Sequence, residues 1–270
     1  MPKSPVQPPA FPIYRESPSK LYIPRFSGVS KFGEPLETSL TIPEKIPEMV
    51  TFQGDLRDYQ QNIVNIYETN MSKGGGLLEI PCGRGKTVMA LKIASVVGLK
   101  TLVIVHKGFL LNQWIERIQQ FLPNARIGKI QGKIIDIDNK DIVIGMLQSL
   151  SMKDYPHSTF SSFGLTIVDE VHHIAAEVFV RSLFKIVTPY VLGLSATMQR
   201  KDGLSNVFKM FLGDIIYKEK REGNDRVIVK AMFYTSTDEE FSTVPLDYRG
   251  NPQYSRLISK LCLFNRRSEY

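Results

Sequence analysis

The sequence predicts an α/β fold in which a mainly parallel sheet is covered by helices. Continuous apolar runs of four or five residues recur along the chain, and such runs are typical of strands that are buried on both faces. Segments with helical spacing of apolar residues separate these runs. A helix between two strands implies a crossover connection, and therefore a parallel pair. In sheets of this kind, ligands bind beyond the carboxyl ends of the strands.

The predicted strands and helices alternate along the chain. The predicted strands are residues 77–80, 101–105, 141–144, 165–168 and 190–194. One predicted helix follows each of the first two strands, and the second of these helices has apolar residues at 111, 115, 118 and 122 on one face. Residues 177–187 are a further predicted helix. An alternating pattern at 226–234 favours one more strand, and the sequence from residue 252 onward is helical in pattern.

The composition divides the chain into three regions. Ten of the sixteen prolines lie in residues 1–50, so this segment is expected to be partly extended, with residues 21–26 docking onto the folded part. Residues 51–220 carry the predicted sheet. Residues 221–270 are interpreted as a junction. The helical pattern that begins at residue 252 continues to the last residue without a cap. We therefore expect this sequence to be a piece of a longer protein.

Composition also excludes several classes of protein. No segment approaches the roughly 18 consecutive apolar residues of a membrane helix, and the amino terminus lacks the apolar segment of a secretory signal. Only Cys82 and Cys262 are present, which argues against a disulfide framework and predicts an intracellular protein. No paired Cys/His spacing indicates a structural zinc site. The net charge of +7 fits contact with phosphate backbones, but a solvated basic surface explains it equally well.

The loop at residues 80–87, Ile-Pro-Cys-Gly-Arg-Gly-Lys-Thr, joins a predicted strand to a predicted helix. Its glycines allow backbone amides to curl around phosphate oxygens, and the helix amino terminus adds a favourable dipole. Lys86 is expected to neutralise the β- and γ-phosphates, and the Thr87 hydroxyl to bind Mg²⁺. The usual pattern begins with Gly, where Ile80 stands here. The alternative is an ordinary turn with an exposed lysine. The predicted nucleotide-binding residues of the loop are Pro81, Cys82, Gly83, Arg84, Gly85, Lys86, Thr87 and Val88.

An acidic pair, Asp169 and Glu170, directly follows a predicted buried strand. Asp169 is expected to hold Mg²⁺ through water, and Glu170 to orient and deprotonate an attacking water. Such a pair also occurs at ordinary helix starts, where carboxylates are favourable. The phosphate loop upstream favours the catalytic interpretation, with Lys86, Asp169 and Glu170 as the catalytic residues.

Two adjacent histidines, His172 and His173, follow the acidic pair. A metal site is one interpretation. Side chains of neighbouring residues on a strand or helix point apart, however, and the sequence has no third ligand at useful spacing. The favoured role for His172 is a hydrogen-bonding link between the catalytic base and a following loop.

Several short motifs occur together in one order along the chain. They are residues 56–60 (Leu-Arg-Asp-Tyr-Gln), 81–87, 105–107 (Val-His-Lys), 113–114 (Gln-Trp), 145–149 (Gly-Met-Leu-Gln-Ser), 169–172 (Asp-Glu-Val-His) and 195–197 (Ser-Ala-Thr). Over roughly residues 21–220 this order resembles the superfamily 2 helicases, and within them the xeroderma-pigmentosum-B-like branch. The types found in phages and large DNA viruses, including the poxvirus transcript-release helicase, are the most similar. That branch also has a large apolar residue where Ile80 stands.

The resemblance implies a RecA-like P-loop NTPase domain that uses ATP and Mg²⁺. This domain would be the first of two, with the second, which supplies arginine fingers, absent from the sequence. Arg57 and Gln60 match the positions that read adenine in the family. His172, Ser195 and Thr197 match residues that couple hydrolysis to movement on nucleic acid.

The resemblance also implies nucleic-acid contacts at two strand ends, from His106, Lys107 and Gly108 and from Gln148 and Ser149. These groups bind phosphate and sugar, so binding of the nucleic acid is expected to be independent of its base sequence. DNA is the expected partner, with RNA as the alternative, and a transcript-release motor would add the transcription machinery. A non-motor nucleotide-binding scaffold remains a third hypothesis.

Two further features have competing interpretations. Trp114 is either a stacking platform for bases or a core residue, and its place beside the apolar face of a helix favours the core. Residues 200–202 (Arg-Lys-Asp) stand where the eukaryotic branch has a duplex-opening motif, but Lys replaces an acidic residue there. A solvated loop is an equal alternative for them.

Overall fold

The computed structural model describes residues 10–174, 176–198, 204–219 and 242–263. The chain divides into two compact units, Met1–Lys220 and Arg221–Tyr270. Within the described part, no helix has the length and apolar character needed to cross a lipid bilayer.

Unit Met1–Lys220 is built on an eight-stranded sheet, which an antiparallel hairpin precedes in the chain. The strands are β1 Arg15–Ser17, β2 Lys20–Tyr22, β3 Gly75–Glu79, β4 Thr101–Val105, β5 Ile127–Gln131, β6 Ile134–Asp136, β7 Ile142–Met146, β8 Leu165–Val168, β9 Tyr190–Ser195 and β10 Ile215–Lys218. β1 and β2 form the hairpin. The strand order in the large sheet is β10-β3-β9-β8-β4-β7-β5-β6, and every neighbouring pair is parallel except β5 and β6.

Helices cover both faces of the sheet. The helices of this unit are α1 Arg25–Phe32, α2 Asp58–Asn70, α3 Lys86–Val97, α4 Gly108–Phe121, α5 Leu147–Met152, α6 Ala176–Leu183 and α7 Ser205–Leu212. One apolar core lies between the sheet and α2, α3 and α4, and a second lies between the opposite face and α5, α6 and α7. Short 3₁₀ turns occur at Met71–Lys73, His157–Phe160 and Val171–His173. The predicted α/β class with a helix-covered, mainly parallel sheet is confirmed.

All five predicted strands are present, and three further sheet strands were missed. β5 and β6 form a partly exposed edge hairpin, so they lack the continuous apolar run that marks a central strand. β10 is a four-residue edge strand with half-exposed side chains. The predicted helix at 177–187 ends earlier, at Leu183. The predicted strand at 226–234 and the motif at 200–202 lie outside the described residues.

The segment before the sheet docks onto it through Arg25 and Phe26, as predicted. The Arg25 guanidinium donates to the carbonyls of Thr188 and Pro189 at 3.1 and 2.9 Å. Phe26 packs against the second apolar core. These contacts hold the start of α1 against the residues that directly precede β9.

Unit Arg221–Tyr270 is described from residue 242 to residue 263. A turn at Asp247 is closed by an isolated bridge between Leu246 and Pro252. Helix α8, Tyr254–Leu263, follows it, which confirms the helical pattern predicted after residue 252 for these residues.

Parallel pairing brings five loops to one edge of the large sheet. The carboxyl ends of β3, β9, β8, β4 and β7 lie side by side in this order. The phosphate loop follows β3, the Ser-Ala-Thr motif ends β9, and the acidic pair follows β8. The two predicted nucleic-acid segments follow β4 and β7. This edge therefore collects the phosphate loop, the acidic pair, the Ser-Ala-Thr motif and both predicted nucleic-acid segments.

The half of the sheet at β5 and β7 is fixed by a buried carboxylate, Asp141. Arg126 donates to Asp141 Oδ2 from its backbone N at 2.8 Å and from Nε at 3.0 Å, and to Oδ1 from its terminal nitrogen at 2.7 Å. Burial opposes ionisation of Asp141, but the Arg126 hydrogen bonds and charge outweigh burial and hold its pKa below the usual range. The pair joins the residues that precede β5 and β7.

We expect Asp141→Asn to lower the unfolding free energy by about 1.5–3 kcal/mol at pH 7, the usual worth of hydrogen bonds to a charged group. The pKa of Asp141 is lower in the folded chain than in the unfolded chain. The stabilisation is therefore fully present above the ordinary aspartate pKa of about 3.9, and it is lost as the pH falls from there through the lower pKa of the folded chain. Urea unfolding at several pH values measures this difference. Asp136→Asn is the control, since the Asp136–Lys140 pair is exposed and contributes less than about 1 kcal/mol. An equal effect of both substitutions would contradict the prediction.

Candidate active site

The phosphate loop has the backbone that its glycines predict. Gly83 and Gly85 have φ values of 81° and 80°, in the left-handed region that favours glycine. A Cβ on Gly85 would lie 2.4 Å from Gln60 Nε2, so a side chain there would displace the Gln60 amide. Helix α3 begins at Lys86, directly after the loop. Its first amides therefore point towards the site that the loop encloses.

Lys86 joins the phosphate loop to the acidic pair. Its ammonium group is 8% exposed and lies 3.3 Å from the Ile80 carbonyl and 3.4 Å from Glu170 Oε1. The two partners belong to loops whose strands, β3 and β8, are separated by β9. Lys86 thus bridges the two halves of the site.

Asp169 is buried, with 5% of its surface exposed. Its Oδ2 accepts a hydrogen bond from Trp114 Nε1 at 2.8 Å, and its Oδ1 accepts one from the Glu170 backbone N at 2.9 Å. Burial raises the pKa of Asp169, and the Trp114 hydrogen bond counteracts the rise. A cation at this carboxylate would favour its ionised form.

Trp114 is a core residue that also positions Asp169. It is 1% exposed, so the core interpretation is confirmed and base stacking is excluded for this side chain. Its hydrogen bond to Asp169 was not predicted, because an apolar helix face gives no information about the partner of an indole N–H.

Glu170 has a left-handed backbone, with φ 49° and ψ 50°, at the start of the 3₁₀ turn Val171–His173. Its Oε1 faces Lys86, and its Oε2 lies 3.3 Å from His172 Nδ1. Non-glycine residues in this conformation cost about 1–3 kcal/mol and are frequent at active sites. The turn sends the carboxylate back across the sheet edge towards the phosphate loop.

The predicted coupling residues His172, Ser195 and Thr197 are in contact. Ser195, fully buried at the end of β9, lies with Oγ 3.0 Å from His172 Nδ1 and donates to the Thr197 carbonyl at 2.6 Å. A continuous chain of contacts therefore runs from Glu170 through His172 and Ser195 to Thr197.

The adjacent histidines do not point apart, contrary to the expectation from a strand or helix. In the 3₁₀ turn, the rings of His172 and His173 lie 4.0 Å apart. The ring of His106, from the end of β4, lies 5.8 Å from that of His173. Burial lowers the pKa of His106, and His173 and Lys107 lower it further, while Glu170 opposes them.

Gln60 and Arg57 lie beside the phosphate loop at the start of α2. The Gln60 side chain accepts from the Arg57 backbone N at 3.0 Å and donates to the Arg84 carbonyl at 3.1 Å. Tyr59 adds a hydrogen bond to the same carbonyl at 3.0 Å, and the Arg84 guanidinium lies 4.3 Å above its ring. Arg84 also pairs with Glu219 at 2.6 Å. Tyr59 and Glu219 are further neighbours of the site, and sequence reasoning missed both.

The predicted nucleic-acid residues lie together on the edge beyond β4 and β7. Gln148 Nε2 donates to the His106 carbonyl at 2.8 Å, which ties the two segments to each other. Ser149 Oγ accepts from the Gly132 backbone N at 2.9 Å. Lys107, Gly108 and Gln148 are exposed, whereas His106 and Ser149 are half-buried. The edge thus presents a lysine and an amide to solvent beside the acidic pair.

The residues present fit a nucleoside triphosphate with Mg²⁺. An ammonium, a helix amino terminus, a hydroxyl and a buried carboxylate suit phosphate and a hard cation. Gly83 has open space where a side chain would project. Cys82, exposed, lies with Sγ 4.0 Å from Lys86 Nζ, and Pro81, Thr87 and Val88 are half-buried around the loop.

A helix-covered parallel sheet with a phosphate loop and an acidic pair at its carboxyl edge defines a P-loop nucleoside triphosphatase domain. The sequence profile of the family described as "Type III restriction enzyme, res subunit" matches residues 53–200. The chain therefore belongs to this family of superfamily 2 helicases, and the resemblance to the xeroderma-pigmentosum-B-like branch is confirmed.

Similar proteins include viral and archaeal members. Protein L396 of Acanthamoeba polyphaga mimivirus, which is named as an ATP-dependent RNA helicase, is 35% identical over 96% of this chain and 50% of its own length. The DNA 3'-5' translocase XPB2 of Sulfurisphaera tokodaii is 30% identical over 76% of this chain and 47% of its own length. The chain spans about half the length of the curated relatives it matches.

A solved structure shares the fold. The SWI2/SNF2 ATPase core of Sulfolobus solfataricus, determined with double-stranded DNA, matches 65% of this chain and 38% of that chain, with a TM-score of 0.51 and 18% identity. At this identity the likeness shows the RecA-like fold alone.

We expect Trp114→Phe to raise the Mg²⁺ concentration needed for nucleotide binding by about tenfold or more, because a hydrogen bond to a charged group contributes about 1.5–3 kcal/mol. The indole N–H stabilises the ionised Asp169 carboxylate, so its loss weakens the cation site. Titration of Mg²⁺ against a fluorescent ATP analogue measures the change. The control is Ile118→Val, which loosens packing on the same buried helix face. An equal Mg²⁺ dependence in the two variants would contradict the positioning role.

Proposed function

We propose that the chain forms the ATP-binding half of an ATP-dependent motor that moves on nucleic acid. The observation that carries this proposal is the 3.4 Å contact between Lys86 Nζ and Glu170 Oε1, with buried Asp169 beside it. The contact supports a single site in which Lys86 binds phosphate on one side and Glu170 acts as the general base on the other.

Each residue has a distinct task in hydrolysis. Gln60 and Arg57 read adenine, and Lys86 binds the β- and γ-phosphates. Thr87 and Asp169 hold Mg²⁺, which neutralises phosphate charge when bound. When Lys86 engages phosphate, Glu170 Oε1 loses its ion-pair partner and becomes the acceptor for a proton of the attacking water. His172 keeps Glu170 oriented through Oε2.

The coupling of hydrolysis to movement follows the order of strands along the sheet edge. The contacts from Glu170 through His172 to Ser195 cross from β8 to β9. On the other side of β8, the loop after β4 carries His106 and Lys107. A movement of the Glu170 carboxylate can therefore affect both the motif that contains Thr197 and the nucleic-acid contacts, because both lie next to β8.

DNA is the proposed track and RNA is the alternative. The names of the relatives include both an RNA helicase and a DNA translocase. Lys107, Gly108, Gln148 and Ser149 offer groups for phosphate and sugar, which the two nucleic acids share. Comparison of ATP hydrolysis in the presence of DNA and RNA of equal length separates the two substrates.

The same proposal includes a second domain, a macromolecular partner and a cellular location. A second RecA-like domain would supply arginine fingers to the ATP site, as in the family. The transcription machinery is the partner if the motor releases transcripts. An intracellular location fits two free cysteines, Cys82 and Cys262, and similarity to viral helicases.

We expect Glu170→Gln to reduce ATP hydrolysis by the full-length protein about 10²–10⁴-fold while ATP still binds, because only the general base is lost. Lys86→Ala should weaken ATP binding itself. Steady-state hydrolysis and equilibrium binding of labelled ATP distinguish the two effects. Glu177→Gln is the control, since this exposed carboxylate pairs only with Arg181 among the contacts described here. Unchanged function in both test variants would favour the scaffold hypothesis.

We expect Lys107→Ala to weaken binding of DNA and RNA alike, because the ammonium contacts phosphate rather than bases. The slope of log affinity against log salt should fall by about 0.7–0.9, the value of one lost phosphate contact. Fluorescence anisotropy at several salt concentrations measures it. The control is Lys73→Ala, an exposed lysine at the amino end of β3, on the opposite edge of the sheet. An equal loss in both variants would show a diffuse charge effect instead.

A further inference from the structure

Three of the four histidines of the chain gather next to the catalytic base. Glu170, His172 and His173 each offer one ligand atom, and these atoms lie within 4.8 Å of one another. His106 adds a third ring at 5.8 Å from His173. One carboxylate and two imidazoles are a ligand set of catalytic zinc sites, in which water takes the fourth position.

The geometry of two ligands already matches such a site. Zinc bonds of about 2.0–2.1 Å in a tetrahedron place neighbouring ligand atoms about 3.4 Å apart. His172 Nδ1 and Glu170 Oε2 are 3.3 Å apart. Lys86 pairs with the other oxygen, Oε1, so Oε2 is the one that faces the imidazole. His173 is exposed, and its ligand atom lies within 4.8 Å of the other two, so a bound ion requires its ring to move closer.

We propose that Glu170, His172 and His173 bind a divalent transition-metal ion of the zinc class, and that this ion inhibits the motor. The site differs from the Mg²⁺ site at Thr87 and Asp169, because imidazole ligands select zinc-like ions over Mg²⁺. A metal bound to Glu170 Oε2 occupies the base that accepts the proton of water. A metal bound to His172 Nδ1 also replaces its contact with Ser195. One ion therefore blocks hydrolysis and its coupling together.

The inhibitory part of this inference rests on the proposed function, whereas the metal binding does not. Metal binding is therefore measured first and without nucleotide, by titrating the chain with Co²⁺ and following the visible absorption of tetrahedral cobalt. Zn²⁺ should displace Co²⁺ and abolish the band. This readout distinguishes a failure of the metal site from a failure of the ATPase proposal, since it requires no hydrolysis.

His173→Ala is the decisive variant, because the proposed mechanism assigns His173 no role in hydrolysis and its side chain is exposed. We expect it to weaken Co²⁺ and Zn²⁺ binding by about tenfold or more, since even outer-shell partners of metal ligands are worth about 10–100-fold. Its hydrolysis of MgATP should equal that of the unmodified full-length protein, but micromolar Zn²⁺ should no longer inhibit it. His157→Ala, which removes the remaining histidine, should retain both binding and inhibition.

Two outcomes would overturn the proposal. Absence of a tetrahedral cobalt band in the unmodified chain would show that the three side chains form no metal site. Equal Zn²⁺ inhibition of the unmodified protein and His173→Ala would place the inhibitory ion elsewhere, for example in exchange for Mg²⁺.

Discussion

The contact between Lys86 and Glu170 requires that two loops far apart in the sequence meet within 3.4 Å. A parallel sheet meets this requirement, because all carboxyl ends lie at the same edge and adjacent strands are spaced by about 4.8 Å. With β9 between β3 and β8, the two loops lie about two strand spacings apart. A long lysine and the left-handed turn at Glu170 together cover that distance. The remaining motifs take their places on either side of this bridge.

The same contact balances charges that would otherwise be costly to bury. Lys86 and Asp169 are each less than a tenth exposed, and removal of an isolated charge from water costs several kcal/mol. Lys86 has Glu170 and the Ile80 carbonyl as partners, whereas Asp169 has two hydrogen-bond donors. The raised pKa of Asp169 indicates that its donors compensate burial only in part. The site therefore retains a favourable interaction for a cation, which is the property that a magnesium ligand needs.

Sequence reasoning succeeded where one local signal determines the structure. Buried parallel strands need apolar residues on both faces, so β4 and β8 could be predicted to the residue, and a glycine-rich loop between strand and helix located Lys86. It failed where the structure depends on a distant partner. β5, β6 and β10 are strands because neighbouring strands pair with them, and their side chains alone carry little pattern. In the same way, no periodicity could reveal that Trp114 donates to Asp169 or that His173 lies against His172, because both contacts depend on loop geometry.

Glu170 has one carboxylate and two competing partners, and this competition connects the nucleotide to the rest of the domain. In the structure, Lys86 Nζ lies 3.4 Å from Oε1 and His172 Nδ1 lies 3.3 Å from Oε2. A triphosphate is a stronger partner for Lys86 than a single carboxylate, because it offers more charge and more acceptor oxygens. Once Lys86 turns to phosphate, the attraction of Glu170 for His172 is no longer divided. His172 also contacts Ser195, so the strength of that second contact depends on what Lys86 binds. Under the proposed function, nucleotide binding would thereby alter the contacts at the end of β9, the strand that lies between β3 and β8, through side chains that already touch.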